Sequence, residues 1–279
     1  MENLNKLSIQ VSLSGLSFCI YDTKEQSFVK SGSMVFPKQL TPYGTLKKLS
    51  RFLEDHNIPG SNFSEVVVTH RNNLFGFVPK IFFDSDELAN YIKLNAKILA
   101  NDHMAYDELE THSLVNVYVP FVNINNYIFE LFGAFTFKHH GTVMVESLLQ
   151  QQAASEETRP AGEIPSTERR RAACFVYIFE RQMDITVLEN NSLLLYNNFS
   201  FITKEDFLYY LLFTIEQLGL DVETVSVKLF GDIEEDDDIY RMCYEYIRDV
   251  VIFVPSDASY PFAMASDKNS IDFTVLNAL

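Results

Sequence analysis

The chain has 279 residues and a formal charge of −16, from 38 Asp and Glu against 22 Lys and Arg. That balance argues against nucleic acid or an anionic membrane as partner, because phosphate binding runs on Lys and Arg, whereas it favours solubility and tolerates a basic partner. The apolar share of 47%, with 24 Phe and 14 Tyr, suffices for a large core, yet no apolar run approaches the roughly 20 residues of a membrane span.

The opening Met-Glu-Asn-Leu-Asn-Lys lacks the charged and apolar regions of a signal peptide. Cys19, Cys174 and Cys243 are far apart and embedded in apolar patterns. They read as reduced core thiols of a cytoplasmic protein rather than a disulfide or zinc framework.

Leu7, Ile9, Val11 and Leu13 alternate with polar residues, which predicts a half-buried strand. Phe18 and Ile20 begin a second strand, and Ser27–Phe36 makes a third. Thr41-Pro42 predicts a helix start, since Thr can cap and Pro fits the first helical position. Leu46, Leu49, Leu53 and His56 continue it, and Glu65–Thr69 is another apolar strand. Leu74–Phe83 reads as a strand pair around Gly76 and Pro79. Ser85 is expected to cap a helix reaching about Leu99, with Asp86 and Glu87 in its first turn. Leu114–Val119, Asn123–Phe132, Phe135–Phe137 and Thr142–Gln152 then read as strand, helix, strand and helix. Residues 151–171 turn polar and end in Arg169-Arg170-Arg171, as expected of a flexible connector.

The second half repeats the first. Ala173–Phe201 predicts three strands in series, with a turn at Asn190-Asn191. Thr203 caps a helix with Asp206 as capping-box partner, Leu208, Leu211, Leu212, Ile215 and Leu218 form its buried stripe, and Gly219 stops it. Val225–Phe230 is a strand, Asp236–Ile247 a helix and Val250–Val254 a further strand. This gives an α/β fold with the order strand, strand, strand, helix, strand, helix, twice. Hairpins pair the first three strands antiparallel, and helical crossovers add parallel ones. The expected division is residues 1–150 for the first half, with a small subdomain inserted at about 74–112, a connector at 151–171, and residues 172–279 for the second half.

Few residues point to chemistry on their own. The acidic run Asp232, Glu234, Glu235, Asp236, Asp237 and Asp238 lacks the alternating ligands and central Gly of a calcium loop, and reads as a solvated helix entry. His139-His140 are adjacent, so on a strand their side chains diverge. His70, His103 and His112 read as core-satisfied or solvent-facing. Asp184 is explained by the wet face of a strand. No nucleophile elbow, Walker-type loop or dinucleotide Gly cluster occurs.

The doubled order of elements resembles the actin, sugar-kinase and heat-shock-protein ATPase superfamily. It is closest to the bacterial actin-like proteins of cell division and type IV pilus assembly, and it also resembles an uncharacterised bacterial family with an actin-like ATPase fold. Met183-Asp184-Ile185-Thr186 matches the tail of that superfamily's second phosphate-binding turn. Phe77–Phe83, Asp86–Leu99 and Val115–Pro120 resemble the pilus protein's inserted subdomain. The resemblance implies a duplicated actin-like ATPase (ribonuclease-H-like) fold, two lobes each with a mixed five-stranded sheet and flanking helices.

The departures from the resemblance bear on activity. The first turn's Asp and Gly fall on Ser12 and Ser14, with Gly15 one position late. The second turn's Asp and Gly fall on Tyr177 and Phe179, and the nucleoside turn is reduced to Gly231-Asp232. A Phe side chain in place of hydrogen prevents backbone amides from approaching phosphate. Ser12, Ser14, Gly15, Tyr177, Phe179, Asp184 and Gly231 thus read as vestigial nucleotide-loop positions. The expectation is a non-catalytic interaction protein without metal or cofactor. The alternative is an ATPase that binds ATP with Mg through unusual loops, which requires Tyr177 and Phe179 to point away from the cleft between the lobes. By the same resemblance, the inserted subdomain is expected to hold a protein or peptide partner near Leu74, Phe75, Phe77 and Tyr106.

Overall fold

The computed structural model describes residues 5–60, 62–93, 95–99, 101–157, 172–179, 181–255 and 272–279. The chain divides into two compact units, Met1–Met144 with Ser259–Leu279, and Val145–Ala258. Of the expected connector, residues 151–157 are helical and 158–171, with Arg169–Arg171, lie outside the described residues. The C-terminal stretch, expected with the second half, groups with the first unit.

The first unit opens with β1 (Asn5–Ser12), β2 (Gly15–Asp22), β3 (Ser27–Val35), α1 (Pro42–Asp55) and β4 (Glu65–Arg71). The inserted subdomain follows as β5 (Phe75–Pro79), α2 (Leu88–Ile92), β6 (Ala105–Leu109) and β7 (Leu114–Tyr118). The chain then returns through α3 (Val122–Phe132) and β8 (Thr136–His139) to α4 (His140–Glu157), whose residues from Val145 onward belong to the second unit. Its large sheet has the order β3-β2-β1-β4-β8, antiparallel across β1, β2 and β3 and parallel at β4 and β8. Leu7, Ile9 and Val11 share one face with Leu16, Phe18, Val66 and Val68, and bury it under Leu49, Phe52 and Leu53 of α1 and Ile124 and Ile128 of α3. Each such side chain contributes roughly 1.5–3 kcal/mol by leaving water. The Thr41 side chain accepts the Gly44 amide and Pro42 fills the first turn, so α1 starts where the sequence predicts.

The second unit contains β9 (Ala173–Phe179), β10 (Gln182–Glu189), β11 (Ser192–Ser200), α5 (Lys204–Gln217), β12 (Ser226–Gly231), α6 (Asp238–Tyr246) and β13 (Asp249–Ile252). Its sheet order, β11-β10-β9-β12-β13, repeats that of the first. Asn190 and Asn191 both have positive φ, 52° and 57°, the conformation that a two-residue hairpin turn requires and Asn tolerates. Thr203 and Asp206 form the complete capping box of α5. Gly219, at φ 66°, ends that helix, and the Leu220 amide returns to Ile215 O at 3.0 Å. Cys174, Val176 and Ile178 of β9 join Phe207, Leu211 and Ile215 of α5 and Cys243 of α6 in the core.

Several local expectations are corrected. The helix expected from Ser85 to Leu99 shrinks to α2, because Asp84 and Glu87 make turns instead of a cap. The Asp84 carboxylate takes the Asp86 amide, and Asn90's amide group is engaged by Glu87 and Lys93. The Leu74–Phe83 strand pair is a single strand, β5, closed by a 3-10 turn at Lys80–Phe82. Charge along Ala105–Leu109 hid β6. His139 and His140 do not diverge on a strand: His139 ends β8, His140 opens α4, and their rings lie 4.9 Å apart. The final helix, α7 (Phe273–Asn277), was not anticipated. It packs on β1 and β2.

Candidate functional site

The first of the three nucleotide-like turns joins β1 to β2. Ser12 is buried at the end of its strand, and its Oγ accepts the amides of Ser14 (3.2 Å) and Gly15 (2.8 Å) while donating to Gly15 O (3.0 Å). Ser14 Oγ lies 3.1 Å from Ser12 Oγ. The turn's carbonyls are engaged as well: Leu13 O by the Leu40 amide and Ser14 O by the Phe36 amide. Both amides of the turn are thus held by a hydroxyl two or three residues away.

In the second unit, Tyr177, Phe179, Asp184 and Gly231 come together. β-pairing sets Tyr177 beside Asp184 on β10 and Phe230 on β12. The Tyr177 ring lies 5.2 Å from Phe230 and stacks against Phe179 at 6.4 Å. Phe253 meets both Phe230 (5.6 Å) and Phe175 (5.2 Å), and Lys228 Nζ sits 4.8 Å from the Phe175 ring centre. Asp184 is not on a wet face; only 1% of it is exposed. Opposite faces of β9 explain this, because Cys174, Val176 and Ile178 take the helix-covered side and leave Phe175 and Tyr177 to build a second buried layer.

Gly231 ends β12 with φ 95°. A Cβ added there would stand 2.2 Å from Ile178 O and 2.8 Å from the Tyr177 ring. The Asp232 amide bonds Ile178 O at 2.8 Å and the Ile233 amide bonds Gly231 O at 3.0 Å. Glycine is required here by backbone conformation and by the approach of β9, whatever else the turn does.

The polar face of the first sheet holds an arrangement that spacing alone did not reveal. Gln10 Nε2 donates to Asp272 Oδ2 at 2.7 Å, and Thr274's hydroxyl reaches Gln10 Oε1 and Asp272 Oδ1. Asp272 also caps α7 through the amides of Thr274 and Val275, and Arg71 Nη1 lies 4.0 Å from its Oδ2. The Cys19 thiol donates to Val275 O at 3.5 Å, and burial, helped by Asp272, pushes its pKa well above the ordinary range. Gln10 and Asp272 are 262 positions apart and Cys19 and Val275 256, and a lone Gln among serines gave no signal.

Of the expected partner-binding residues, Phe75 is buried with its ring 4.7 Å from His139, so it is a core residue. Leu74 packs partly into the subdomain core and Phe77 is half-buried; Tyr106 is exposed and touches Phe83 at 4.9 Å. The exposed apolar pair is instead Ile81 (86%) and Phe82 (71%). Their turn is fixed by the Lys80 amide on Ser113 O and by Tyr91, whose hydroxyl donates to Phe82 O and accepts the Asp84 amide.

Beneath this tip, Asp107 gathers three donors: the hydroxyls of Tyr118 (2.9 Å) and Thr142 (2.6 Å) and the His139 amide (2.8 Å). The residue is half-buried but its carboxyl turns inward, and lost hydration raises its pKa to about 6 against those bonds. Asn116 Nδ2 donates to Thr142 and to His139 Nδ1, so His139 carries its proton on Nε2, facing Asn72 O. Burial, and then His140, hold His139 well below its usual range. His70 Nε2 donates to Asn125 Oδ1 at 2.8 Å while Nδ1 accepts the Phe121 amide; burial lowers its pKa to about 4. Asn116 Oδ1 is the acceptor left without a partner among the described residues, and the network ties the small sheet to the β8–α4 junction.

Among the described residues no helix is long and apolar enough to cross a membrane. No curated protein matches the chain. Among solved structures it is similar to a Bacteroides thetaiotaomicron protein with actin-like ATPase fold and unknown function, at TM-score 0.74 and 18% identity over 99% of this chain and 95% of that one. It is also similar to a chain of the PilM–PilN type IV pilus biogenesis complex, at TM-score 0.59 and 11% identity over 98% and 97%. The fold is thus the actin-like ATPase fold, with two mixed five-stranded sheets and flanking helices. With residues 1–250 matched, the chain belongs to the DUF3822 family, described as a protein of unknown function.

Proposed function

We propose that this protein is a non-catalytic, cytoplasmic member of the actin-like fold that serves as a protein-interaction adaptor without nucleotide, metal or other cofactor. The observation that carries the reading is the closure of Gly231 by Ile178 O and the Tyr177 ring. Support comes from the first turn, where Ser12 takes the amides of Ser14 and Gly15. Side chains and hydroxyls of the chain's own residues stand where a phosphate would need open amides. For the adaptor role, the support is the rigid turn presenting Ile81 and Phe82 on the inserted subdomain, together with Tyr106. An apolar pair so exposed is a natural anchor for a partner. A neighbour of the same fold was solved in a complex named for two proteins.

Thermal unfolding with Mg-ATP, ADP or GTP tests the first half of the proposal. A ligand at 100 times its Kd adds about 2.7 kcal/mol, and the expected result is no shift with any of the three. A reproducible shift that Tyr177→Trp abolishes would replace the adaptor reading with nucleotide binding through unusual loops.

A further inference from the structure

The two halves differ in charge at one place in particular. From Gln26 to Leu53 the sequence holds no Asp or Glu but five cations, Lys30, Lys38, Lys47, Lys48 and Arg51, in a chain of net charge −16. The stretch is bounded by Glu25 on one side and Glu54-Asp55 on the other. The matching helix of the second half, α5, instead carries Glu205, Asp206 and Glu216 against a single cation, Lys204.

Lys30 lies on β3, Lys38 in the loop that follows, and Lys47, Lys48 and Arg51 on α1, whose last turn carries the exposed Glu54 and Asp55. All five are exposed, and Lys30 Nζ donates to His56 O at 2.6 Å, which fixes β3 against the end of α1. Lys48 and Phe52 are one helical turn apart, and Lys47 and Arg51 likewise, so they form neighbouring rows on α1. Phe52 meets Phe18 and His56, the two side chains that a Cβ at Gly32 of β3 would strike. The Lys48 row therefore lies on the side of α1 nearest β3. Among the described residues none of Lys38, Lys47, Lys48 and Arg51 is ion-paired; Lys47 sits 4.9 Å over the Tyr43 ring.

Beside these charges runs an open strand edge. Among the described residues β3 is the last strand of its sheet, paired only with β2. It spans Ser27–Val35 without proline, with a bulge that leaves Val29 unpaired between Phe28 and Lys30, and Val29 and Val35 are exposed. In an antiparallel pair about half of such a strand's N–H and C=O groups point away from its partner and are free to pair. A lone Lys30 is the sole charged residue on it.

We propose that β3 and the adjoining flank of α1 form a docking surface for an acidic, extended segment of a partner protein, which adds to the sheet as a further strand. Main-chain pairing with β3 supplies the affinity. Val29 and Val35 receive alternate apolar side chains, and Lys30, Lys38, Lys48 and Arg51 select carboxylates. Charge complementarity singles out this occupant, since in a symmetric edge-to-edge pairing of two copies the same cations would face one another. The surface is separate from the Ile81–Phe82 tip, so an adaptor would have two places to hold partners.

The test uses the full chain and a fluorescein-labelled peptide of alternating Glu and Val, long enough to span β3, followed by anisotropy. Saturable binding is expected, weakening as salt rises. It should fall about tenfold or more when Lys replaces Glu in the peptide, and likewise when alternate peptide amides on one edge are N-methylated. In the protein, Lys48→Glu with Arg51→Glu should weaken binding to the same degree without changing the melting temperature, because both side chains are exposed. Amide exchange should slow along Val29–Val35 and not at Ile81–Phe82. No binding at the solubility limit, or binding unaffected by N-methylation, overturns the proposal. So does a concentration-dependent dimer that Ser33→Pro splits, which would give the edge to a second copy, or capture by phosphatidylserine vesicles in place of the peptide.

Discussion

The two large sheets share one strand order, yet their second faces are opposite in chemistry. In the first unit that face carries Ser8, Gln10, Ser12, Ser17, Thr69 and Arg71, all buried, and Asp272 and Thr274 of the C-terminal segment supply partners. In the second unit the corresponding rows carry Phe175, Tyr177 and Phe230, with the buried Asp184 and Thr186 and the half-buried Lys228 as polar exceptions. Duplication of a backbone therefore fixes where a face lies and leaves open how it closes. A polar face closes through specific pairs such as Gln10 with Asp272, even though the hydroxyls of Ser8 and Ser17 find no partner among the described residues. An aromatic face closes by area and ring geometry, which tolerates more exchange.

The sharpest way to break the comparison is at Gly231. Gly231→Val combines backbone strain at φ 95° with overlap on Ile178 O and Tyr177. Strain and overpacking of about 1–3 kcal/mol each make a total loss of about 4 kcal/mol reasonable. Gly60 also has positive φ, 82°, but nothing within 4 Å of its Cβ position, so Gly60→Ala should lose only about 1–2 kcal/mol. Urea unfolding of both variants reads the difference. Equal losses would mean that the aromatic layer does not press on Gly231.

Next in size is a swap of similar volume on each face. Gln10→Leu takes the amide donor from Asp272 Oδ2 in a buried setting, where Arg71 Nη1 stays 4.0 Å away, for an expected loss of about 3 kcal/mol. Phe230→Leu should lose about 1–2 kcal/mol, because the ring's neighbours can partly repack. Chemical denaturation compares them. If the polar face tolerates Leu better than the aromatic face does, the distinction between the two modes of closure is wrong.

The parts readable in the sequence were those coded locally. Alternation at Leu7–Val11, the Thr41-Pro42 and Thr203-Asp206 helix starts, and the Asn190-Asn191 turn each specify geometry within a few residues, and the fold follows them. The duplicated order followed because each half repeats these signals. What was not readable depends on distant residues meeting. Asp107, Asn116, Tyr118, His139 and Thr142 carry no shared spacing, yet they form one hydrogen-bonded cluster. Gln10 and Asp272 are separated by 262 positions. Asp184 was misplaced because alternation assigns a side chain to a face without saying whether that face is wet. Phe75 was misjudged as an anchor for a related reason: an aromatic near a loop looks the same in sequence whether it faces inward to His139 or outward.

Acid sharpens the contrast, because the buried histidines belong to the first unit. His70 is held at about 4 by burial, below its ordinary 6.5. A depressed folded-state pKa means full stabilisation above pH 6.5 and progressive loss as pH falls from there towards 4, by as much as roughly 3 kcal/mol. His139 acts in the same direction. Asp107 opposes them: its pKa is raised to about 6, so its contribution is present below about 4 and is lost as pH rises through 6. With two histidines against one carboxyl, net destabilisation is expected between pH 6.5 and 4, smaller than the two histidines together would give. Melting followed across that range should show His70→Gln flattening the slope and Asp107→Asn steepening it. A flat profile for the wild type would remove the buried neutral histidines from the account.

The smallest expected difference compares the same device in the two halves. α1 and α5 both start on a threonine, and each hydroxyl accepts the amide three residues on, Gly44 at 3.2 Å and Asp206 at 3.1 Å. Replacing either Thr by Ala should lose about 1 kcal/mol. The helices differ in what stands at the third position. In α5 the Asp206 carboxylate returns to the amides of Ile202 and Thr203, both at 3.1 Å, and those bonds hold its pKa below the usual carboxylate range. In α1 that position is Gly44, which returns nothing. Losing Thr203 therefore leaves a second cap in place, whereas losing Thr41 leaves only Pro42, whose ring still fits the first turn but offers no acceptor. Thr41→Ala is thus expected to be the more damaging by a few tenths of a kcal/mol, and adding Asp206→Ala to Thr203→Ala should exceed it. Amide exchange in the first turn of each helix has the resolution to see this. If Thr203→Ala alone frays α5 as fully as the double change, the two arms of the capping box work as one unit rather than as independent caps.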